Sequence, residues 1–339
     1  MSVYSEPRDG VLVVIPSLNE EADIANVVNA ALREREKTRL LVVVADGGSS
    51  DGTRRIVSQL AASTPDVRLM DNPQRLQSAG VNRAAELFGD GYRWMVRMDA
   101  HAGYPEHYIS LLVEEAEKRD AASVVVAMHS EGRQWFQKAV ATAQNSLIGT
   151  GGSAHRSNGD ARYVDHGHHA LFDLALFRAL KGYDQDQSAN EDAEFDVRLA
   201  RAGGKIWLTR AVTVIYYPRT GAGALYRQYA NYGRGRALTI LRHRTKPKLR
   251  QLLPAAVLPI ALLVPLSSWA PFAALPFGLW LLACLLYGAA LGITQRKSYG
   301  AAAAIAAMIM HMAWSIGFWR GVLETGTLAM AAPRVEGQA

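Results

Sequence analysis

The chain has 339 residues, a formal net charge of +6 and 49 % hydrophobic residues, a composition that is ordinary for a soluble enzyme of about two domains. This average hides an uncharged stretch, because no Asp, Glu, Lys or Arg occurs between Leu252 and Gln295. The single cysteine, Cys284, excludes internal disulfides and thiolate metal sites, and the charged residues Glu6 and Asp9 argue against a signal peptide.

Short apolar runs alternate with amphipathic stretches in the amino-terminal part of the chain. The runs predict buried strands at 11–15, 40–45, 67–70 and 93–99. The stretches between them predict helices at 22–35, 54–62 and 76–87. Because strands and helices alternate, the sequence predicts an α/β fold with a doubly wound, Rossmann-like parallel sheet.

The later elements lead into an apolar carboxyl-terminal part. Helices are predicted at 105–119, 134–147, 190–202 and 225–241, and strands at 123–128 and 205–217. Three apolar segments follow at 252–268, 272–293 and 301–319. A membrane span needs about 20 residues, so the first segment either spans or re-enters. We therefore expect a catalytic domain at 1–224, a basic membrane-interface helix and linker at 225–250, three membrane segments at 251–320 and a polar tail at 321–339.

Charged and polar residues follow the predicted strands at the edge where ligands bind in open α/β sheets. Asp99 and His101 end the central apolar run, and side chains two residues apart on extended chain point to the same face. The two could therefore share a divalent cation. Asp46 ends another strand beside two glycines, which allow a ligand to approach the backbone closely.

Five motifs occur along the chain in one order. They are Pro16-Ser17-Leu18-Asn19-Glu20, Asp46-Gly47-Gly48-Ser49-Ser50-Asp51-Gly52-Thr53, Asp99-Ala100-His101, Glu191-Asp192 and Gln228-Tyr229-Ala230-Asn231-Tyr232-Gly233-Arg234. In this order they resemble the inverting glycosyltransferases of family 2, which have the GT-A fold. Within that family the chain is similar to succinoglycan-type enzymes that extend lipid-linked exopolysaccharide repeats.

The resemblance assigns roles to most of these residues. It implies that a UDP-sugar is bound by Pro16, Ser17, Glu20, Asp46, Asp99 and Arg234. It also implies that Asp99 holds Mn²⁺ or Mg²⁺ against the diphosphate. His101 stands where the family usually has a second Asp, so it either ligates the metal, which would favour Mn²⁺, or hydrogen-bonds phosphate or sugar.

The acceptor side is assigned in the same way. Asp192 matches the general base that takes the proton of the acceptor hydroxyl. Glu191, His168 and His169 are candidates for contacts with the acceptor.

Several of these residues have structural alternatives. Asp46 could cap the following helix rather than contact uracil. Arg75, near a strand end, could bind base or phosphate or could be a solvated surface residue. Arg234 could meet lipid headgroups instead of a diphosphate. His311 lies in an apolar segment, where we expect a neutral imidazole packed between helices.

We therefore expect a membrane-anchored enzyme of the bacterial inner membrane with a cytoplasmic catalytic domain. It would move glucose from UDP-glucose onto a sugar carried by polyprenyl diphosphate. Basic residues from Arg242 to Arg250 adjoin the apolar segments, which favours membrane lipids over nucleic acid as a partner. Alternatives are UDP-galactose or UDP-glucuronic acid as donor, direct transfer to polyprenyl phosphate, and a non-catalytic scaffold that binds nucleotide sugars.

Overall fold

The computed structural model describes residues 10–156, 159–187, 189–294 and 299–331, and the chain divides into two compact units. The first unit comprises Met1–His129 and Ala154–Tyr216, and the second comprises Ser130–Ser153 and Tyr217–Ala339. The sequence placed residues 130–153 in the catalytic domain, whereas this stretch packs within the second unit.

One mixed sheet forms the centre of the first unit. Its strands are β1 (Val11–Ser17), β2 (Leu40–Asp46), β3 (Val67–Asp71), β4 (Trp94–Arg97), β5 (Ala102–Gly103), β6 (Ser123–Ser130), β7 (Arg162–Tyr163), β8 (His168–Asp173) and β9 (Ile206–Tyr216). Their order is β3-β2-β1-β4-β8-β6-β9-β5, with β7 beside β9. Strands β1 to β4 pair in parallel, as the sequence predicted. The prediction of a parallel sheet does not hold beyond β4, because the chain returns as β8 between β4 and β6 and is antiparallel to both.

Thirteen α-helices occur in the described part of the chain. They are α1 (Ile24–Leu32), α2 (Thr53–Ser63), α3 (Gln77–Phe88), α4 (Tyr108–Arg119), α5 (Trp135–Gln144), α6 (Leu147–Thr150), α7 (Leu174–Ala179), α8 (Glu191–Arg201), α9 (Ala222–His243), α10 (Leu249–Ala255), α11 (Val257–Leu262), α12 (Leu275–Thr294) and α13 (Gly300–Ala331). Short 3₁₀ turns lie at Ala154–Arg156, Val264–Ser268 and Pro271–Ala274.

Hydrophobic side chains cover both faces of the sheet, because successive strand residues point to opposite sides. Val13 and Ile15 belong to one buried cluster, which includes residues of α1 and α4. Leu12 and Val14 belong to a second cluster, which includes residues of α3, α7 and α8. The two layers fix the carboxyl ends of β1, β2 and β4 at one edge.

Helix α4 begins later than the sequence predicted. Its first turn is capped from another element, because the buried carboxylate of Glu34 accepts hydrogen bonds from the backbone N–H groups of Ile109 and Ser110, both at 2.8 Å. The preceding residue, His107, has a left-handed φ of 61° and cannot continue the helix backwards. The helix therefore starts at Tyr108 and not at Pro105.

The apolar segments of the second unit differ from one another. Two of them lie in helices that are long and apolar enough to cross a membrane, at Pro271–Thr294 and Gly300–Thr325. The first segment forms the shorter α10 and α11 and the 3₁₀ turn that begins at Val264. Proline lacks a backbone donor and interrupts helices, and this segment contains Pro254, Pro259 and Pro265.

Candidate active site

Two turns at the ends of β1 and β2 are joined by backbone and side-chain hydrogen bonds. Gly47 N–H donates to Ser17 O at 2.8 Å, and Ser50 N–H donates to the Asn19 side chain at 2.8 Å. Glu20 N–H donates to Thr53 Oγ1 at 2.8 Å. The first two motifs of the sequence are therefore one structural unit beside the carboxyl ends of the parallel strands.

Asp46 lies inside this unit and is 1 % exposed. Its carboxylate accepts hydrogen bonds from Gly48 N–H, Ser49 N–H, Ser49 Oγ and Arg54 Nη1, at 2.5 to 3.1 Å. Burial would raise the pKa of Asp46, but the hydrogen bonds from Ser49 and Arg54 outweigh it and lower the pKa below its usual value. The carboxylate organises its own turn, and a contact with uracil stays a prediction.

Other groups of this unit are available to a nucleotide. The buried Ser17 hydroxyl has no hydrogen-bond partner among the described residues. It follows Pro16 at the end of β1. Arg75 is exposed, and its guanidinium covers the glycine turn, 3.5 Å from where a Cβ on Gly48 would lie. Donor binding by Ser17 and Arg75 stays a prediction.

Arg97 is the centre of a buried charge cluster at the end of β4. Its Nε and Nη2 both lie 3.4 Å from Asp99 Oδ1, and its Nη1 lies 3.3 Å from Glu191 Oε1. The same Nη1 lies 3.5 Å from the hydroxyl of Tyr183. Because the Arg97 side chain is only 8 % exposed, one shielded cation is shared by a carboxylate after β4 and a carboxylate at the start of α8.

The cluster shifts the ionisation of its members in opposite directions. Burial opposes ionisation of Asp99, but Arg97, His168 and His101 together lower its pKa. Burial raises the pKa of Glu191, and the neighbouring Asp192 raises it further, although Arg97 acts against both. Asp99 is therefore held as an anion, while Glu191 gains a proton more readily than an ordinary glutamate.

The histidines of the segment before and in β8 have different surroundings. His168, on β8, lies with Nε2 3.6 Å from Asp99 Oδ2, and its burial lowers its pKa to about 4 despite that carboxylate. His166 Nδ1 lies 2.7 Å from Asp196 Oδ2 of α8. The side chain of His169 lies outside the described part of the chain.

His101 is not on a strand with Asp99. Strand β4 ends at Arg97, so the alternation expected for a strand does not apply to Asp99 and His101. His101 Nδ1 lies 2.9 Å from Glu20 Oε1, which joins the third motif to the first. Within the described residues, no three His, Cys, Asp or Glu side chains are arranged to hold a metal ion. Direct ligation of a metal by Asp99 or His101 stays a prediction.

Asp192 lies in the first turn of α8, directly after Glu191. Asn190 precedes the helix with a left-handed φ of 60°, and this sharp entry presents both carboxylates at the helix N-terminus. Asp192 Oδ1 accepts a hydrogen bond from Ala193 N–H at 2.7 Å. The charge of Asp192 acts on Arg97 and His168, so the predicted base belongs to the same cluster as Asp99.

Sequence reasoning gave no role to Arg97 or to the residues that fix its surroundings. Asn82 of α3 holds the backbone of Tyr183 from both sides, through its amide oxygen and its amide nitrogen, each at 2.8 Å. Tyr183 in turn faces Arg97. The available signal was an arginine inside the apolar run Trp94–Met98, since a charge in a buried strand requires a partner.

Arg234 is placed in the second unit. Its Nε donates to Glu324 Oε2 of α13 at 2.7 Å, and Arg320 Nε donates to the other oxygen at 2.8 Å. Contact of Arg234 with a diphosphate stays a prediction. His311 is packed between helices as expected, with Nε2 2.7 Å from Ile148 O and the Trp280 indole 3.3 Å from Nδ1.

Comparisons with known proteins identify relatives of this chain. The family model "Glycosyl transferase family 2" matches residues 12–180. The succinoglycan biosynthesis protein ExoA of Rhizobium meliloti is 49 % identical over 315 residues, 92 % of this chain and 95 % of that protein. A polyprenol monophosphomannose synthase of Mycolicibacterium smegmatis is 33 % identical over 115 residues, 32 % of this chain and 41 % of that protein.

A solved structure supports the fold independently. The mannosyltransferase PcManGT of Pyrobaculum calidifontis, in complex with GDP-Man and Mn²⁺, superposes with a TM-score of 0.57 at 21 % identity. The superposition covers 90 % of this chain and 87 % of that one. The chain therefore belongs to glycosyltransferase family 2 and is a glycosyltransferase with the GT-A fold.

Proposed function

We propose that the enzyme transfers a hexose, glucose from UDP-glucose, onto a sugar carried by polyprenyl diphosphate during exopolysaccharide biosynthesis. The observation that carries the proposal is the charge cluster in which Arg97 joins Asp99 to Glu191, beside Asp192. The extended similarity to a succinoglycan biosynthesis protein supports the pathway class. Inversion at the sugar carbon follows from a single displacement by the acceptor hydroxyl.

The donor side of the proposal uses the turns after β1 and β2. The Ser17 hydroxyl, which has no partner among the described residues, and the exposed Arg75 would bind the nucleotide. Pro16 and Glu20, which is anchored by His101, would assist them. Asp46 would act by holding the glycine turn in shape. Asp99 is an anionic oxygen ligand of the kind that Mn²⁺ and Mg²⁺ accept, and a bound cation would neutralise charge on the departing UDP.

The acceptor side uses the start of α8. Asp192 would accept the proton of the attacking hydroxyl, and a positioned base contributes about 10²- to 10⁴-fold to the rate. Glu191, fixed by Arg97, would orient the acceptor sugar, and His168 would remain neutral beside Asp99 at cytoplasmic pH. Arg234 remains a candidate for the diphosphate of the UDP-sugar, since arginine binds phosphate with charge-assisted hydrogen bonds.

One second function has specific support. The similarity to a polyprenol monophosphomannose synthase over 115 residues favours direct transfer to polyprenyl phosphate as the alternative. The two functions differ in product, because the alternative gives one phosphate and no acceptor sugar. For either one, the apolar helices of the second unit and the basic residues 242–250 support attachment to the cytoplasmic face of the inner membrane.

A UDP-release assay on detergent-solubilised enzyme tests the proposal. UDP-glucose, UDP-galactose and UDP-glucuronic acid are each incubated with Mn²⁺ and with a monosaccharide-diphosphate-polyprenol, with polyprenyl phosphate, or without acceptor. Release from UDP-glucose that requires the sugar-bearing acceptor is the expected result. Release onto bare polyprenyl phosphate identifies the alternative, and UDP binding without release under every condition contradicts both.

A further inference from the structure

Helix α13 is apolar enough to cross a membrane, but it has the surroundings of a core helix. Half of its most apolar 18-residue stretch is buried within the protein, whereas only 11 % of the corresponding stretch of α12 is buried. Its buried residues Ala303, Ala307 and Met310 share a cluster with Val140 and with Leu225. These last two belong to α5 and α9, which are not membrane spans by composition.

Helix α9 packs along α13 with its backbone in direct contact. A Cβ at Gly233 would clash with the carbonyl of Trp314, and a Cβ at Gly317 would clash with the carbonyl of Ala230. One turn further on, Gly321 packs against Arg234. From Leu225 to Ala230 to Arg234 along α9, the partners on α13 advance from residues 303–310 to Gly317 to Gly321. The two helices therefore lie side by side and parallel.

Helix α9 carries four arginines, Arg227, Arg234, Arg236 and Arg242. A span through the hydrocarbon core by α13 would carry α9 and these charges into the core, which is strongly unfavourable. Glu324 of α13 forms ion pairs with both Arg234 and Arg320, so the carboxyl-terminal part of α13 is also charged.

The middle of α13 is hydrogen-bonded to the backbone at the junction between α10 and α11. The Ser315 hydroxyl donates to Ala255 O at 2.8 Å and accepts from Leu258 N–H at 2.9 Å, where α10 ends and α11 begins. His311 Nε2 contacts the carbonyl of Ile148 in α6 at 2.7 Å. Helices α6, α9, α10 and α11 thus surround α13, and lipid is excluded from much of its circumference.

We propose that α13 does not cross the bilayer but lies in the plane of its cytoplasmic surface, as the core of a unit that inserts into one leaflet. Helix α12 is the lipid-facing element, together with Trp269 and Phe272, which are 89 % and 83 % exposed. The partner surface is a leaflet rich in anionic phospholipid, because Glu131 and Glu324 are the only acidic residues in 130–153 and 217–325, where Lys and Arg are frequent. The proposal rests on the membrane location in the proposed function and not on the reaction.

Thiol accessibility at the two ends of α13 tests this topology. In a Cys284→Ser background, single cysteines are introduced as Thr294→Cys, at the end of α12 just before α13, and Arg320→Cys. Residues 300 and 320 are separated by about 30 Å of helix, the thickness of the hydrocarbon core. A membrane-impermeant maleimide is applied to spheroplasts and to inverted membrane vesicles, and glycosyl transfer is measured to confirm that each variant is folded.

Both sites should react at least tenfold more in inverted vesicles than in spheroplasts. Reaction of either site from the outer face shows that α13 or α12 crosses the membrane and overturns the proposal. Reaction of Arg320→Cys only after detergent places that end inside the core and also overturns it. Leu323→Cys replaces Arg320→Cys if the latter misfolds. Loss of the chain from washed membranes would instead contradict the membrane location itself.

Discussion

The aspartates at the carboxyl ends of β2 and β4 have opposite surroundings. Asp46 is saturated, with four hydrogen bonds of 2.5 to 3.1 Å from its own turn and from Arg54. Among the described residues the Asp99 carboxylate has long contacts, at 3.3 Å with Gln77, 3.4 Å with Arg97 and 3.6 Å with His168. A carboxylate whose lone pairs are filled by the protein stabilises the fold, whereas one with long contacts can exchange them for a ligand.

The arginines beside these aspartates show the same contrast. Arg54 lies between Asp46 and Asp71 at the surface and is 41 % exposed, so water screens its charge. Arg97 lies between Asp99 and Glu191 and is 8 % exposed. The two arginines make similar ion pairs but are expected to differ in effect. The buried pairs of Arg97 should govern activity, whereas the exposed pairs of Arg54 should contribute locally to stability.

The largest effect is expected at the predicted base. Asp192→Asn should lower kcat by about 10²- to 10⁴-fold, because the amide cannot accept the proton of the acceptor hydroxyl. UDP affinity, measured by calorimetry, should change little. Asp120→Asn is the matched control, since Asp120 is 92 % exposed and pairs only with Lys205 among the contacts described, and it should retain full activity. Normal turnover in Asp192→Asn would assign the base to another residue.

Arg97→Met should remove the shared cation of the buried cluster. Uncompensated buried charges of this kind cost about 3–5 kcal/mol, so the thermal unfolding midpoint should fall and kcat with it. Arg97→Lys keeps the charge but not the planar guanidinium, so it should recover part of the unfolding midpoint and part of kcat. Arg93→Met removes a half-exposed pair with Glu117 and should change stability by less than about 1 kcal/mol. Equal losses of stability in Arg93→Met and Arg97→Met would refute the expected difference between exposed and buried ion pairs.

The parallel half of the fold could be predicted because each strand buried on two faces forms a continuous apolar run. Strand β8 could not, since the run His168–Phe172 begins with two histidines and its place between β4 and β6 depends on long-range pairing. Asp99 and Asp192 could be chosen from the motifs. The role of Arg97 could not, because the partners of a buried charge lie far away in sequence, as Glu191 does.

Substitution of Asp46 should affect the stability of the fold more than the affinity for UDP. Asp46→Asn weakens the hydrogen bonds from Ser49 and Arg54 in a buried turn, at a cost of about 1–3 kcal/mol. Arg54→Met should cost less than about 1 kcal/mol, because that side chain is half-exposed. Denaturation and UDP titration of both variants separate the effects. A large loss of UDP affinity in Asp46→Asn with unchanged stability would instead favour direct contact between Asp46 and uracil.

The smallest effect concerns pH and His168. Burial lowers the pKa of this imidazole from 6.5 to about 4, although Asp99 acts against the shift. Arg97, Arg156 and Asp192 also face it. Because the unfolded chain binds this proton first, the stability of the fold should fall as pH drops from 6.5 towards 4, by at most about 1.4 kcal/mol per pH unit. His168→Gln removes the titrating group, so its unfolding midpoint, measured in EDTA, should fall less between pH 7 and pH 5. Parallel pH curves for the two proteins would show that His168 does not carry this dependence.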